Sequence, residues 1–583
     1  MDKMINLTID GKKVSIEEGS TILDAARKID IDIPTLCFLK EINEVGSCRM
    51  CLVEVEGMRD YVTSCVFPAK DGMIVRTNTP ELMDTKKAVL ELILSNHNKS
   101  CLTCARNTNC ELQAMCKKFG IEDLPFEGEM SEKIYDDKSD CIVRDTSKCI
   151  LCRKCVSICK KVQGVSAISV MERGFKSYVG VAQNMSLRNS TCVGCGQCVV
   201  NCPTGALLEK DSIKQVKKAL QDPDKYVIVQ TAPSVRATIG EEFGMDIGTL
   251  MTGKMVSGLK QLGFDKVFDT DLGADMTIME EATEFLSRLK EGGVLPMITS
   301  CSSAWITFAE KFYPDLLDHL STTKSPMEIL GVLVKKYYAK KVGIDPEKIF
   351  SVALMPCSAK KAEILRPELK IDGLQAVDQV ITTREAARML KQANIDISKL
   401  EETEFDDPLG EATGAGHIFG TTGGVMEAAL RTLYEMITGS ELKNIEFNIV
   451  RGVEGIKEAK IDIGGNEIWI AVVQGLKNAS KVLDEIRDGK SKYSFIEIMS
   501  CPGGCIMGGG QPYVSSYKKA KIDVRGLRAK ALYTADKNSK LRCSHKNPQV
   551  KVIYDQFVKD KPNSKKSHEL FHTKYNKQDV YVS

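Results

Sequence analysis

Two cysteine runs constrain this chain more than any other feature. CILCRKCVSIC places Cys149, Cys152, Cys155 and Cys159; CVGCGQCVVNCP places Cys192, Cys195, Cys198 and Cys202 ahead of Pro203. Both read CxxCxxCxxxC, and they start 43 residues apart. The opening MDKMINLTIDGKKVSI is polar and strand-like, with neither a signal-peptide core nor a twin-arginine motif. Disulfides are rare without export, so clustered thiols there bind metal. The spacing is that of paired [4Fe–4S] shells in which the fourth cysteine of each run ligates the other cluster. Zinc is the bland alternative, and two such runs in one chain argue against it.

The cysteine distribution divides the molecule. Of 22 cysteines, seventeen precede residue 203 and five follow it, so a metal-dense front leads into a large thiol-poor rear domain. At roughly 100–200 residues per domain, 583 residues imply several domains. A formal net charge of +2 gives no sign of a nucleic-acid partner. Without a run of 18 apolar residues no membrane span is expected. A cytoplasmic location is expected.

The front third carries two more constellations. INLTID and KVSIEE alternate about Gly11-Lys12 as a β-hairpin, TILDAARKI reads as a helix, and Cys37, Cys48, Cys51 and Cys65 follow. This order resembles the plant-type [2Fe–2S] ferredoxin fold, with a longer first gap; zinc is again the alternative. HNKSCLTCARNTNC then offers His97, Cys101, Cys104 and Cys110, with Cys116 the rival fourth ligand. A neutral imidazole among thiolates changes cluster charge and potential. The two long runs resemble the bacterial two-[4Fe–4S] ferredoxin. The expected domains are 1–82 (plant-type ferredoxin-like), 83–128 (His/Cys3), 139–210 (bacterial ferredoxin-like) and 211–583 (rear domain). Four clusters form a wire, and the front alone equally resembles the iron–sulfur subunit of respiratory complex I.

From about residue 211 apolar strands alternate with amphipathic helices, predicting a large, mostly parallel α/β domain with functional loops at strand ends. YVIVQTAPSV, GGVLPMITSC, IFSVALMPCS and FIEIMSCPGG are strand-to-loop transitions, three of them ending in cysteine: Cys301, Cys357, and Cys501 with Cys505. Buried structural cysteine is the alternative, but it leaves the glycines of CPGGC and GGGQP unexplained.

TSCSSAW, MPCSAKKAE and EIMSCPGGCIMGGGQP together resemble the signature segments of [FeFe]-hydrogenases. TAPSVRATIGE, DLGADMTIMEEATE and GHIFGTTGGVMEAALR extend the resemblance over essentially the whole chain, in its long monomeric clostridial form. It implies reversible reduction of protons to H2 at an H-cluster. That cofactor is a [4Fe–4S] cubane bridged by cysteine to a diiron centre with CO, CN and a dithiolate. By resemblance, Cys357, Cys501 and Cys505 are cubane ligands, Cys505 bridging. Met355 and Met499 pack the diiron pocket, while Lys360 with the backbone of Pro233 and Ser234 bonds the cyanides. Proton relay falls to Cys301, Glu281, Ser321, Glu284 and Arg288; helical spacing puts the two glutamates and Arg288 on one face, where a solvated acidic stripe is the plainer alternative. Ferredoxin or flavodoxin is the implied electron partner, with maturation proteins supplying the diiron unit to a monomer.

The pattern breaks at TSCSSAW, where catalytic relatives read TSCCPGW. Serine then takes the place of the fourth cubane ligand. Either Ser302 ligates iron while Cys301 relays protons, or Cys301 becomes the ligand and the relay loses its thiol. Adjacent strand side chains point to opposite faces, which favours the first. Met327 and Ala359 also remove hydrogen-bonding capacity near the diiron site. A hydrogen sensor or slow variant is the second reading, and an iron–sulfur protein without the diiron unit the third. Cys116, Cys141 and Cys543 are expected to be structural. His568 and His572, four apart, read as a solvated helix end, with a zinc site as the alternative.

Overall fold

The computed structural model describes residues 3–126, 128–442, 445–452 and 455–581. Its front begins with strands Met4–Ile9 and Lys12–Glu17, paired antiparallel from Met4↔Glu17 to Ile9↔Lys12. The turn is Asp10-Gly11, both at positive φ, one residue earlier than expected; Lys12 already belongs to the second strand. Positive φ at two successive turn residues matches the right-handed twist of a hairpin. Met4–Ile9 also pairs in parallel with Ile74–Arg76, which leads on to Leu52–Val55 and Val62–Thr63 in a five-stranded sheet. The helix Ile22–Lys28 starts on a capping box: Thr21 Oγ1 accepts from the Asp24 amide at 3.1 Å, and the Asp24 carboxylate from the Thr21 amide at 3.2 Å.

The rear domain has two four-stranded sheets. In the first, Lys266–Asp269, Tyr226–Thr231, Ile349–Met355 and Gln379–Thr382 lie side by side, all parallel. In the second, Met297–Ile298, Phe495–Met499 and Asn466–Gln474 are parallel, and Ile456–Ile463 closes the edge antiparallel. GGVLPMITSC thus contributes only two strand residues. The central strands are apolar on both faces, as helices on either side require. In open α/β sheets functional loops gather beyond the carboxyl ends of strands. Here those ends lead to Pro233 and Ser234, to Cys357, to Cys301 and to Cys501, so both lobes deliver their expected residues to one cleft. Among the described residues no helix is long and apolar enough to cross a membrane.

Candidate active site and its iron–sulfur approach

All 22 cysteines are free thiols, and most are brought together in groups. Cys37, Cys48, Cys51 and Cys65 are buried side by side, with Cys51 Sγ 3.3 Å from Cys65 Sγ. His97, Cys101, Cys104 and Cys110 line one cavity, and Cys116 reaches the same wall. Burial, reinforced by Lys148, lowers the His97 pKa to about 4, so the ring is neutral; its Nδ1 is buried without a hydrogen-bond partner. An orphaned imidazole nitrogen on a residue that shares its cavity with three thiols is what a metal ligand looks like.

Cys149, Cys152 and Cys155 share a cavity with Cys202 and Pro203, rather than with Cys159. Cys159 stands instead beside Cys192 and Cys198. The crossing expected of paired cubane shells is present in the geometry. Cys141 lies buried behind the second run, its thiol where a Cβ on Gly194 would meet it at 2.6 Å.

That second run touches the rear domain directly. Gln197 Nε2 donates to Cys501 Sγ at 3.1 Å and to the Met507 carbonyl at 2.9 Å. A Cβ on Gly196 would lie 2.8 Å from the Gly509 Cα, so only glycine permits this backbone approach.

In the cleft, Cys501 neighbours Cys357 and Cys505, and Cys301 neighbours Cys505, Lys360 and Glu281. Burial pushes the Cys505 thiol up to about 12, so its anion needs a cation beside it, as iron ligation supplies. Gly504, at φ +88°, passes the Thr422 amide where a Cβ would come within 2.6 Å. Met355 and Met499 are buried at the strand ends, and Met327 and Ala359, at helix starts, are buried too. Pro233 and Ser234 are buried, and Ser234 Oγ accepts from Gln511 Nε2 at 3.3 Å. The donor set therefore fits the iron groups that the motifs imply.

The variant loop separates its two leading residues. Ser302 Oγ lies 2.8 Å from Ser500 Oγ and accepts from the Ser500 amide at 3.4 Å, next to Cys501. Cys301 instead faces Glu281 and Cys505.

Lys360 is not solvated. Its Nζ donates to both oxygens of Glu363 at 2.8 Å and to the Cys301 carbonyl at 3.3 Å. Ser303 and Ser325 hydroxyls donate to the same carboxylate, so Glu363 is buried fully bonded.

The expected relay residues are neighbours too. On the helix Thr270–Glu291, Glu281 accepts weakly from Ser300 and leaves Oε2 buried and unbonded. Ser321 Oγ donates to Glu284 Oε2 at 2.9 Å, and Arg288 donates to Glu284 Oε1 at 2.6 Å. Arg288 also donates to the carbonyls of Val294, Asp318 and Leu320. Burial, then the charge of Glu284, raises the Glu281 pKa to about 8. Glu281 and Glu284 are buried, so the solvated-stripe alternative fails.

The C-terminal tail closes over this helix. His572 is buried, neither solvated nor paired with His568 as a metal site: Nδ1 lies 2.7 Å from Thr322 Oγ1 and Nε2 3.1 Å from Glu280 Oε2. His568 stacks on it at 3.9 Å and bonds Asn563. Tyr575 donates to the Ser321 carbonyl at 2.9 Å.

Gln197, Glu363, Gln511 and Glu497 escaped the sequence reading. Only Glu497 carried a local signal: FIEIM sets a carboxylate inside an apolar strand, where it accepts from the Gly423 and Met426 amides at 2.7 Å. The other three owe their partners to chain crossings that no local pattern encodes.

Comparison with known proteins agrees with this geometry. Residues 225–509 match the iron only hydrogenase large subunit, C-terminal domain, and 522–578 the iron hydrogenase small subunit. Ahead of them lie a 2Fe-2S iron-sulfur cluster binding domain at 2–80, an NADH-ubiquinone oxidoreductase-G iron-sulfur binding region at 86–125 and a 4Fe-4S dicluster domain at 148–206. The NADP-reducing hydrogenase subunit HndD of Solidesulfovibrio fructosivorans is 48% identical, over 99% of both chains. Iron hydrogenase 1 of Clostridium pasteurianum is 42% identical, over 98% of this chain and 100% of that one. The structure of apo HydA1, an [FeFe]-hydrogenase from Chlamydomonas reinhardtii, superposes with TM-score 0.57 at 41% identity, covering 63% of this chain and 99% of that one. With its 2Fe-2S and 4Fe-4S domains ahead of an H-cluster-type large domain, this chain belongs to the [FeFe]-hydrogenases, oxidoreductases acting on H2.

Proposed function

We propose that the chain interconverts protons and H2 with Ser302 on the cubane side of the cofactor and Cys301 at the head of the proton relay. The observation that carries this is the split in TSCSSAW: Ser302 bonds Ser500 beside Cys501, while Cys301 faces Glu281. Cys357, Cys501 and Cys505 would hold the cubane. The bound cofactor supplies the metal site at which protons and electrons combine.

The protein's part is delivery and confinement. Glu281, neutral below about pH 8, can hand a proton toward Cys301 and recover one from the Ser321 side. Glu284 and Arg288 lead outward, with Glu284 accepting from both Ser321 and the Arg288 guanidinium. Met355, Met499 and Met327 keep water from the pocket, and Lys360 presents an ammonium to anionic ligands while Glu363 balances its charge. Electrons would arrive through a [2Fe–2S] cluster and three [4Fe–4S] clusters, Gln197 bridging the last to Cys501.

A second reading concerns the electron partner. The resemblance implied ferredoxin or flavodoxin and a monomer, but HndD is called a subunit of an NADP-reducing hydrogenase, which favours delivery from a partner subunit. Hydrogen evolution with reduced ferredoxin, set against NADPH plus co-purified partners, separates the two.

Infrared spectra of maturated protein test the main reading, alongside hydrogen evolution by wild type, Cys301→Ala and Ser302→Cys. CO and CN bands in all three, with activity lost in Cys301→Ala and kept in Ser302→Cys, are expected. Bands missing from maturated wild type exclude the hydrogenase reading. Loss of the cubane signal together with activity in Cys301→Ala makes Cys301 the ligand.

A further inference from the structure

Of the three cysteines outside the expected iron shells, Cys116 lines the His97 cavity and Cys141 packs behind the second run, whereas Cys543 stands in the C-terminal region. Cys543, buried to 3% exposure, opens the short turn Ser544–Lys546, and the sequence CSH places His545 two residues later. Across from them runs the helix Gly424–Thr438, carrying Glu435 near its last turn. One ligand atom from each of Cys543, His545 and Glu435 lies within 4.8 Å of the others, the only such trio among the described residues. Their chemistry is mixed: a thiol, an imidazole and a carboxylate, the combination that borderline divalent ions select.

Donor bonds of 2.0–2.3 Å place tetrahedral ligands roughly 3.5 Å apart, so modest side-chain rotations close the trio on an ion. The imidazole is already oriented. His545 Nδ1 lies 3.2 Å from Thr432 Oγ1, three residues before Glu435 on the same helix face, and Nε2 points at Glu435 Oε2 from 2.9 Å. With Nδ1–H donated to Thr432, Nε2 can release the proton it shares with Glu435 and bind metal, the arrangement by which an outer hydrogen bond fixes a ligand's tautomer. The opposing charge is Lys546, 3.2 Å from Glu435 Oε1. It already pairs with Glu441 at 2.7 Å, so it can leave Glu435 without losing an anion. Of the other cations nearby, Arg431 and Arg542 are bonded to Asp536.

We infer that Cys543, His545 and Glu435 form a site for one divalent ion of zinc type, with a fourth position open to water, separate from the iron chemistry. The ion ties the segment after Asn538 to a helix whose first residues adjoin the cleft, where the preceding Gly423 amide bonds Glu497. It acts as a clamp on the C-terminal region: no bond of the substrate is involved, and the enzyme's redox balance is untouched.

The probe is zinc, added to iron-loaded holoenzyme after a mild chelator wash, so that iron-occupied thiols do not compete. Elemental analysis after desalting should find one zinc per wild-type chain and background in His545→Gln and in Cys543→Ser. Thr432→Val should weaken zinc about tenfold, the order seen when an outer ligand partner is removed. Zinc should also protect Cys543, and not Cys116 or Cys141, from alkylation read by peptide mass spectrometry. His545 is partly exposed, so its variant folds even if Cys543→Ser does not. Hydrogen evolution should be the same in these variants. Equal zinc content in wild type and His545→Gln, or alkylation of Cys543 at the same rate with and without zinc, overturns the site.

Discussion

Gln197 and Cys501, 304 residues apart in the chain, meet in a 3.1 Å hydrogen bond from side-chain amide to sulfur. One opens the short helix Gln197–Val200 within the last accessory cysteine run, and the other is an expected ligand of the catalytic cubane. An N–H donor on a ligand sulfur stabilises the more negative, reduced state. Gln197→Leu should therefore lower the cubane potential. The loss of roughly 1 kcal/mol between redox states corresponds to ~40 mV for one electron. Redox titration followed by electron paramagnetic resonance measures it; an unshifted cubane alongside shifted accessory clusters would assign the bond elsewhere.

Glu281 is expected to govern the pH profile of hydrogen evolution. Its folded pKa of about 8 lies above the ordinary value of 4.5. Its contribution to stability is thus whole below about pH 4.5 and lost progressively as pH rises to 8. The neutral donor form depletes over the top of that window. Hydrogen evolution at saturating reductant should fall above pH 8, while Glu281→Gln should lose at least ~100-fold activity at every pH with the infrared bands intact. A pH profile unchanged by the substitution would remove Glu281 from the relay.

Ser303 donates to Glu363, which holds Lys360. Ser303→Ala removes one of four hydrogen bonds and should cost about 1 kcal/mol with little effect on the CN bands. Glu363→Gln strips the charge partner from a buried ammonium. The CN bands should shift and activity drop, because Lys360 then lacks its anchor. Equal effects from both variants would mean that Glu363 serves packing alone.

His572 fastens the tail to Glu280 and Thr322. Burial alone would raise the Glu280 pKa, yet hydrogen bonds from His572, Ser567 and Tyr554 hold it below the ordinary range. This stabilisation is present above the unfolded pKa and fades as pH falls through the lowered value. His572→Ala should weaken the tail by roughly 1–3 kcal/mol. Faster amide exchange over residues 564–575, and over Ser321 and Thr322 beneath them, would register it. Unchanged exchange would place the attachment in Tyr575 and Asn576 instead.

Much of this was legible without coordinates because ligands to iron come in local spacings. Cys149 to Cys159 and Cys192 to Cys202 are fixed by short-range geometry, and the strand-end cysteines follow apolar runs that alternate with helices. The crossing of Cys202 and Cys159 between shells was readable for the same reason. Helical spacing likewise paired Glu284 with Arg288.

Contacts between distant segments were not legible. His572 read as a solvated helix end because nothing nearby announces that Glu280, 292 residues earlier, lies against it. The anchoring of Lys360 was not legible, because Glu363 looks like ordinary helix composition until Ser303 and Ser325, from distant segments, close around it. Cys543 read as packing because Glu435 approaches only when the C-terminal turn folds back onto its helix. The sequence by itself determined where iron can be held, since ligand spacing is local chemistry. Tertiary structure alone decided which buried charges meet, since burial and pairing are properties of the packed core rather than of any segment.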